Sequence, residues 1–210
     1  GMVIVQEPKT GKILAMSSYP NFDPNNYSDS KLDSFLNTTL QAVFEPGSVM
    51  KVITMSAGLD SNKFTPDTTF YDPGFLTLDG YTIKNWDLKS HGKVTMTNII
   101  ELSLNTGAAY AERLIGKDLF YNYLVKFGFG AKTGIKLPGE LSGSLNNLKS
   151  SSRDINFATA AFGQGVSVTP LQMISAFSAI ANHGVLMKPY LLQNENPEVV
   201  RRVISKEAAA

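Results

Sequence analysis

Ser48 and Lys51 are the residues whose types and spacing most clearly suggest chemistry, because a hydroxyl and an amine lie three positions apart. Apolar residues recur at helical spacing after Ser48, so the pair lies at the start of a predicted helix. Residues three apart share one helix face, and the Lys51 amine can therefore reach the Ser48 hydroxyl. Burial among neighbouring apolar side chains lowers the pKa of a lysine toward a neutral form that accepts a proton. The pair thus predicts a serine that is activated for acyl transfer.

A helix N-cap is the alternative role for Ser48, because serine is a preferred residue at that position. The spacing alone does not decide between the two roles, since short motifs also arise by chance. A second element favours chemistry: Ser103 and Asn105 lie between two helical runs, 94–102 and 106–115. At such a junction a hydroxyl and a carboxamide can both face one cleft.

Together these elements resemble the serine transpeptidase domain of the penicillin-binding proteins, whose motifs are Ser-x-x-Lys, Ser-x-Asn and Lys-Thr-Gly. The resemblance extends along the chain to features of the class B (cell-division and elongation) type, in the same order. The matching segments are 9–16, 20–25, 127–130, 133–140, 162–165 and 169–172. Several matches in register are more specific than any single motif.

The resemblance implies an α+β fold of the serine β-lactamase and penicillin-binding transpeptidase type, in which helices flank an antiparallel sheet. It implies one transpeptidase domain over residues 1–210. By the same likeness, the domain is a peptidoglycan D,D-transpeptidase that forms a serine acyl-enzyme with D-Ala-D-Ala stem peptides and is acylated by β-lactams. Two alternatives remain open: a β-lactamase or β-lactam-sensor relative, and a catalytically incompetent fragment with a structural role.

The resemblance also assigns roles to individual residues. Ser48 would attack the substrate carbonyl, Lys51 would take its proton, and Ser103 would relay a proton to the departing nitrogen. Asn105 would hydrogen-bond the substrate amide, and Gln164 would bind substrate in the cleft. The backbone N–H of Ser48 would be one donor to the oxyanion.

Lys-Thr-Gly occurs twice, at 9–11 and 132–134, and a structural role is predicted for both copies. The first lies between two strand-like stretches, where its glycine serves a hairpin turn. The second is followed by Ile135, whereas the family's catalytic copy continues with a small hydroxylic residue on a strand that edges the cleft. We therefore expect the catalytic copy and the last strands of the sheet to lie beyond Ala210. On this expectation the domain is incomplete at its C-terminus and the chain is poorly active.

Composition agrees with one folded domain outside the cytoplasm. With 210 residues and 43% hydrophobic content, the chain can build a single sizeable core. A net charge of +1 without basic runs points to neither nucleic acid nor an anionic membrane as a partner. The absence of cysteine fits an extracytoplasmic bacterial protein. The resemblance places the domain on the outer face of the cell membrane, in a parent protein that is anchored by an N-terminal helix absent here and contacts membrane-bound cell-wall synthesis partners.

Three further expectations concern positions around these motifs. Helices are predicted within 95–127 and over 153–162 and 169–182, strands over 185–192 and 199–204, and an exposed connection over 141–153. Neither His91 nor His183 lies at ligand spacing from Cys, Asp or Glu, so no metal and no cofactor are expected. Trp86 is predicted to pack rather than to line the cleft.

Overall fold

The chain combines helices with antiparallel strands in the computed structural model, which describes residues 1–149 and 151–210. The helices are α1 Thr38–Gln41, α2 Met50–Asp60, α3 Met96–Glu101, α4 Asn105–Ile115, α5 Lys117–Lys126, α6 Asp154–Ala160 and α7 Pro170–Ala181. The strands are β1 Met2–Gln6, β2 Ile13–Ser18, β3 Thr69–Asp72, β4 Phe75–Leu78, β5 Tyr81–Lys84, β6 Gly92–Thr95, β7 Val185–Met187 and β8 Val199–Arg202. This mixture agrees with the predicted α+β class.

The strands form two-stranded antiparallel sheets that pair β1 with β2, β3 with β6, β4 with β5, and β7 with β8. The turn between β1 and β2 holds the first Lys-Thr-Gly, in agreement with its predicted hairpin role. Gly11 has a φ of +82°, and a Cβ there would lie 2.5 Å from the carbonyl oxygen of Lys188. Both the backbone conformation and the close approach therefore require glycine in this turn.

Helix α2 lies at the centre of the molecule, because most of its circumference is buried rather than one stripe. Met50, Ile53 and Ala57 are completely buried in the main apolar cluster. Gly58 allows close packing, since a Cβ at that position would overlap the Phe64 ring at 2.0 Å. The first turn of α2 is consequently held by the core on which it rests.

Helix α7 begins and ends close to its predicted bounds because its N-terminus is strongly capped. The Thr169 hydroxyl accepts from the Gln172 N–H at 3.1 Å, and the Gln172 side chain accepts from the Thr169 N–H at 2.8 Å. Pro170 occupies the first helical position, which lacks an intrahelical partner for an N–H in any case. The local sequence alone specifies this helix start.

The connection at 141–153 is not simply exposed, so that prediction is wrong in part. Leu145 and Leu148 are only 7% and 2% exposed and belong to the main core. Polar neighbours hide this anchoring in the sequence, and Ser150 of this segment lies outside the described residues. The β7 strand is also shorter than predicted and ends before Pro189, which has no N–H to donate.

No helix in the described part of the chain has both the length and the apolar character needed to cross a membrane.

Candidate active site

Ser48 lies in a single 3-10 turn, Gly47–Val49, that leads directly into α2. Its hydroxyl does not cap the helix, so the alternative N-cap role is wrong. Instead, Ser48 Oγ is 3.1 Å from Lys51 Nζ and 3.1 Å from Ser103 Oγ. The short spacing in sequence thus becomes a direct contact between a hydroxyl and an amine.

Lys51 is 2% exposed, and its amine is surrounded by polar atoms at hydrogen-bond distance. Besides Ser48 Oγ, Lys51 Nζ lies 2.6 Å from the Ser103 carbonyl oxygen, 3.0 Å from Ser103 Oγ and 2.9 Å from Asn105 Oδ1. The two carbonyl-type oxygens can only accept, so they take two N–H groups. The third position on the Lys51 nitrogen, a lone pair in the neutral amine or an N–H in the ammonium, faces the hydroxyls of Ser48 and Ser103. There, a neutral amine can accept a proton and an ammonium can donate one.

Burial lowers the pKa of Lys51 from its ordinary 10.5 to about 8. The physical cause is desolvation, which disfavours the charged form of a lysine. At neutral pH a substantial minority of molecules therefore carry a neutral Lys51 amine. This is the state that a general base requires.

Ser103 and Asn105 reach the same point from the junction between α3 and α4. Ser103 has a φ of +54°, in the left-handed region that few non-glycine residues occupy. This conformation turns the chain so that both the carbonyl and the hydroxyl of Ser103 face Lys51. The Asn105 side chain is held at its other end as well, because Nδ2 donates to the Lys84 carbonyl at 2.9 Å. The predicted junction thus supplies two functional groups to one centre.

A buried carboxylate, Asp72, supports this junction and was not recognised from the sequence. Its side chain is fully buried and accepts four hydrogen bonds at 2.6–3.0 Å. The donors are the Gly74 N–H, Asn85 Nδ2, the His91 N–H and Thr106 Oγ1. Because Thr106 follows Asn105 in the chain, Asp72 fixes the start of α4 against the 84–91 loop.

The serine–lysine centre opens into a cavity of about 450 Å³. Gln164 lines it, which is where the prediction placed this residue. Trp86 also lines it and is 73% exposed, so the predicted packing role is wrong. The indole N–H donates to the Leu102 carbonyl at 3.0 Å, which anchors the ring at the rim while its faces stay open.

An aspartate–histidine pair on the same cavity wall is missing from the sequence-based prediction. His91 Nε2 lies 2.9 Å from Asp87 Oδ2, and both residues line the cavity that holds Ser48. The statement that His91 has no acidic neighbour at ligand spacing is therefore wrong, since the two residues are four apart. Nevertheless, no group of three or more His, Cys, Asp or Glu that could hold a metal ion occurs among the described residues.

The loop 163–165 holds the nucleophile turn in place. The Gly47 N–H donates to the Gly163 carbonyl at 3.0 Å, and the Gly165 N–H donates to Glu45 Oε1 at 2.8 Å. A Cβ on Gly163 would lie 2.3 Å from the Gly47 carbonyl oxygen, so the two loops touch backbone to backbone. This contact explains why a glycine-rich segment lies beside the site.

The second Lys-Thr-Gly lies in a different environment from Ser48. Glu140, which is 6% exposed, accepts from the Thr133 N–H at 2.7 Å, from the Thr133 hydroxyl at 2.5 Å and from the Gly134 N–H at 3.2 Å. None of residues 132–134 lines the cavity next to Ser48. The geometry agrees with a structural role for this copy.

Comparisons with known proteins agree with the geometry. Residues 1–210 match the family described as the penicillin binding protein transpeptidase domain. Stage V sporulation protein D of Bacillus subtilis is 38% identical over 99% of this chain and 32% of its own length. Peptidoglycan D,D-transpeptidase FtsI of Escherichia coli is 29% identical over 95% of this chain and 33% of its own length. The chain thus spans about a third of the length of these relatives.

Solved structures show the same fold. The TP domain of penicillin-binding protein 3 from Burkholderia pseudomallei superposes with a TM-score of 0.85 at 30% identity, covering 99% of this chain and 58% of that one. A peptidoglycan glycosyltransferase from Burkholderia ambifaria gives a TM-score of 0.85 at 30% identity, with 99% and 62% coverage.

Proposed function

The chain belongs to the penicillin-binding protein transpeptidase family, and from this premise we propose that it is part of a peptidoglycan D,D-transpeptidase domain with Ser48 as nucleophile. The donor substrate is a stem peptide that ends in D-Ala-D-Ala, and β-lactams acylate the same serine. One observation carries the proposal: the buried Lys51 amine lies within 3.1 Å of both Ser48 Oγ and Ser103 Oγ at the floor of an open cavity.

In the first half-reaction, Ser48 Oγ bonds to the carbonyl carbon of the penultimate D-Ala while Lys51 takes the hydroxyl proton. The backbone N–H of Ser48, at the positive end of α2, stabilises the oxyanion that forms. The C–N bond then breaks, and the proton passes from Lys51 through Ser103 to the departing amine. The three atoms lie 3.0–3.1 Å apart, so no side chain has to move for this transfer.

In the second half-reaction, an acceptor amine attacks the acyl-enzyme carbonyl. Its proton passes back through Ser103 and Lys51 to Ser48 Oγ as the ester bond breaks. The products are a cross-linked peptide and the free enzyme in its original protonation state. General acid–base help of this kind is typically worth ~10²–10⁴ in rate.

Asn105 and Gln164 bind the substrate beside this centre. Asn105 Nδ2 uses one N–H for the Lys84 carbonyl, which leaves its second N–H for a substrate amide oxygen. Because Asn105 Oδ1 also contacts Lys51, the residue couples substrate binding to the position of the base. Gln164, on the exposed loop over the cavity, contacts the peptide from the opposite wall.

The cellular setting follows from the substrate. Peptidoglycan lies outside the cytoplasmic membrane, so the domain works on that outer face, in a parent protein that is anchored in the membrane and assembles with other membrane-bound enzymes of wall synthesis.

Covalent labelling with a fluorescent penicillin tests the proposal. The complete domain should gain the mass of one penicillin, and Ser48→Ala should abolish the gain. Ser17→Ala, which removes an exposed hydroxyl on β2, is the matched control and should label normally. Labelling of Ser48→Ala with unchanged stoichiometry would show that another residue is the nucleophile.

The same experiment separates the alternatives by the lifetime of the adduct. A transpeptidase keeps the acyl group for a time that is long compared with acylation. A β-lactamase would release hydrolysed drug and return to its original mass within seconds to minutes. A non-catalytic fragment would show no adduct at any time.

A further inference from the structure

A second cavity, of about 340 Å³, lies between the β3–β4 region and helices α4 and α6. None of the residues that line it lines the cavity next to Ser48. It therefore plays no part in the acyl-transfer chemistry proposed above, and its occupant is a separate question. We refer to it as the Glu112 cavity.

Glu112 on α4 is the unusual residue of this cavity. It is 5% exposed, yet among the described residues no backbone or side-chain group donates a hydrogen bond to its carboxyl. Two other buried acids are hydrogen-bonded: Asp72 accepts four hydrogen bonds and Glu140 accepts three. Buried polar groups are nearly always satisfied by protein, water or a ligand, so the Glu112 carboxyl, which faces a cavity without a protein donor, offers an acceptor that a bound molecule can fill.

The basic residues around the cavity do not satisfy Glu112. The positive charge of Lys117 acts to lower the pKa of Glu112. However, the Lys117 amine lies 2.5 Å from Asp154 Oδ1 and donates to the Ser152 carbonyl at 3.0 Å. Arg113 is exposed to solvent. The charge of Lys117 is thus balanced by Asp154, and the Glu112 carboxyl remains the open polar position in the wall.

The rest of the wall suits a flat apolar body. Phe70 and Tyr110 stack with their ring centroids 4.5 Å apart, and Leu76 and Leu78 continue the apolar surface. Mostly apolar lining with one or two placed polar groups is the usual composition of a small-molecule site.

We propose that the Glu112 cavity binds a small organic cation, in which an amine or amidine nitrogen donates to the Glu112 carboxylate and an aromatic or branched aliphatic body packs against Phe70 and Tyr110. A cation matches the site because it supplies both the missing donor and the countercharge for a buried carboxylate. An anion would match the wall less well, because Lys117 is already paired with Asp154, and Arg113, the other cation of the lining, is exposed to solvent.

Binding of the cation should depend on pH in a defined direction. Burial raises the pKa of Glu112 to about 7, so the carboxyl is mostly neutral at pH 6 and mostly ionised at pH 8. Because the cation binds the ionised form, its affinity should be up to about tenfold higher at pH 8. The other ionisable groups that face the cavity are Tyr71, Tyr110, Arg113, Lys117 and Asp154.

Titration of ¹⁵N-labelled protein with phenethylammonium, monitored by NMR, tests the proposal. Saturable shifts should appear at backbone amides of 70–78 and 109–113, with tighter binding at pH 8 than at pH 6. The neutral analogue 2-phenylethanol has a similar shape but no cationic nitrogen, so it should bind several-fold more weakly. This comparison uses only the native protein and requires no variant to fold.

Glu112→Gln keeps the side-chain shape and removes the charge, so it should abolish the preference for the amine over the alcohol. Glu198→Gln, which removes an exposed carboxylate on another part of the surface, is the matched control and should behave as the native protein. Absence of saturable shifts at both pH values, equal affinity for amine and alcohol, or undiminished amine binding by Glu112→Gln would each overturn the proposal. None of these outcomes depends on the assignment of Ser48, because labelling by penicillin is measured separately.

Discussion

The rate at which Ser48 is acylated should rise with pH as Lys51 loses its proton. Only the neutral amine can accept the hydroxyl proton, so the protonated enzyme is inactive in this step. Burial lowers the pKa of Lys51 from 10.5 to about 8, which brings the transition into an accessible range. The perturbation is therefore a change of pH from 6 to 9 on the complete, natively folded domain.

The expected magnitude follows from the ionised fractions. With a pKa of about 8, the neutral fraction of Lys51 is about 1% at pH 6, about 10% at pH 7 and about 90% at pH 9. The second-order acylation rate constant should then increase by roughly two orders of magnitude over this range and level off above pH 9. A lysine with the ordinary value of 10.5 would give a neutral fraction about 300-fold lower at pH 7.

Stopped-flow acylation by a fluorescent penicillin measures this profile. Lys51→Ala should lower the rate at pH 8 by at least ~10² and remove the inflection. His91 is an ionisable residue that lines the same cavity, so His91→Gln is the control that should retain the inflection. A flat profile between pH 6 and 9, or an inflection that survives in Lys51→Ala, would refute the assignment of Lys51 as the base.

Three further substitutions test the supporting structure. Thr133→Val removes one hydrogen bond to the buried Glu140, so urea denaturation should show a loss of about 1 kcal/mol, while an altered acylation rate would contradict a purely structural role. Asp72→Asn places an amide where four donors point, so the melting temperature should fall and acylation should slow; unchanged kinetics would exclude a positioning role for this carboxylate. Gly163→Ala puts a Cβ 2.3 Å from the Gly47 carbonyl at a φ of +80°, so both thermal stability and penicillin labelling should drop, and normal labelling would show that the two loops are not coupled.

The parts of the site that depend on local geometry could be predicted from the sequence. Three-residue spacing at a helix start places Ser48 beside Lys51 almost regardless of the rest of the fold. The start of α7 is also encoded locally, since Thr169, Pro170 and Gln172 form a complete capping pattern. Such features can be predicted from the sequence because only a few neighbouring residues determine them.

The parts that depend on contacts distant in sequence could not be predicted in the same way. Asp72 ends a short strand, and nothing near it indicates that Asn85 and Thr106 will donate to its carboxylate. Similarly, Trp86 reads as a core residue by its apolar area. Only the folded chain shows that its N–H is held by the Leu102 carbonyl while the ring stays exposed. Hydrophobic periodicity predicts which face of a helix or strand is buried. It does not predict which polar side chains contact one another between elements.

The contact between the nucleophile turn and the 163–165 loop has a consequence for folding. More than 100 residues separate Gly47 from Gly163, so closing this loop costs chain entropy before the contact contributes any stabilisation. In a partly folded chain, Lys51 would lie in water and keep its proton, and Ser48 would be an ordinary hydroxyl. Under the proposed function, we therefore expect reactivity toward penicillin in the native state alone.

A short pulse of fluorescent penicillin can for this reason count native molecules. If labelling is faster than unfolding, the labelled fraction across a urea series should follow the circular dichroism transition with the same midpoint. Labelling that is lost at lower urea than the helical signal would instead reveal a species in which the core survives and the two loops have separated. Labelling of Ser48 would thus report whether the nucleophile turn and the 163–165 loop are in contact.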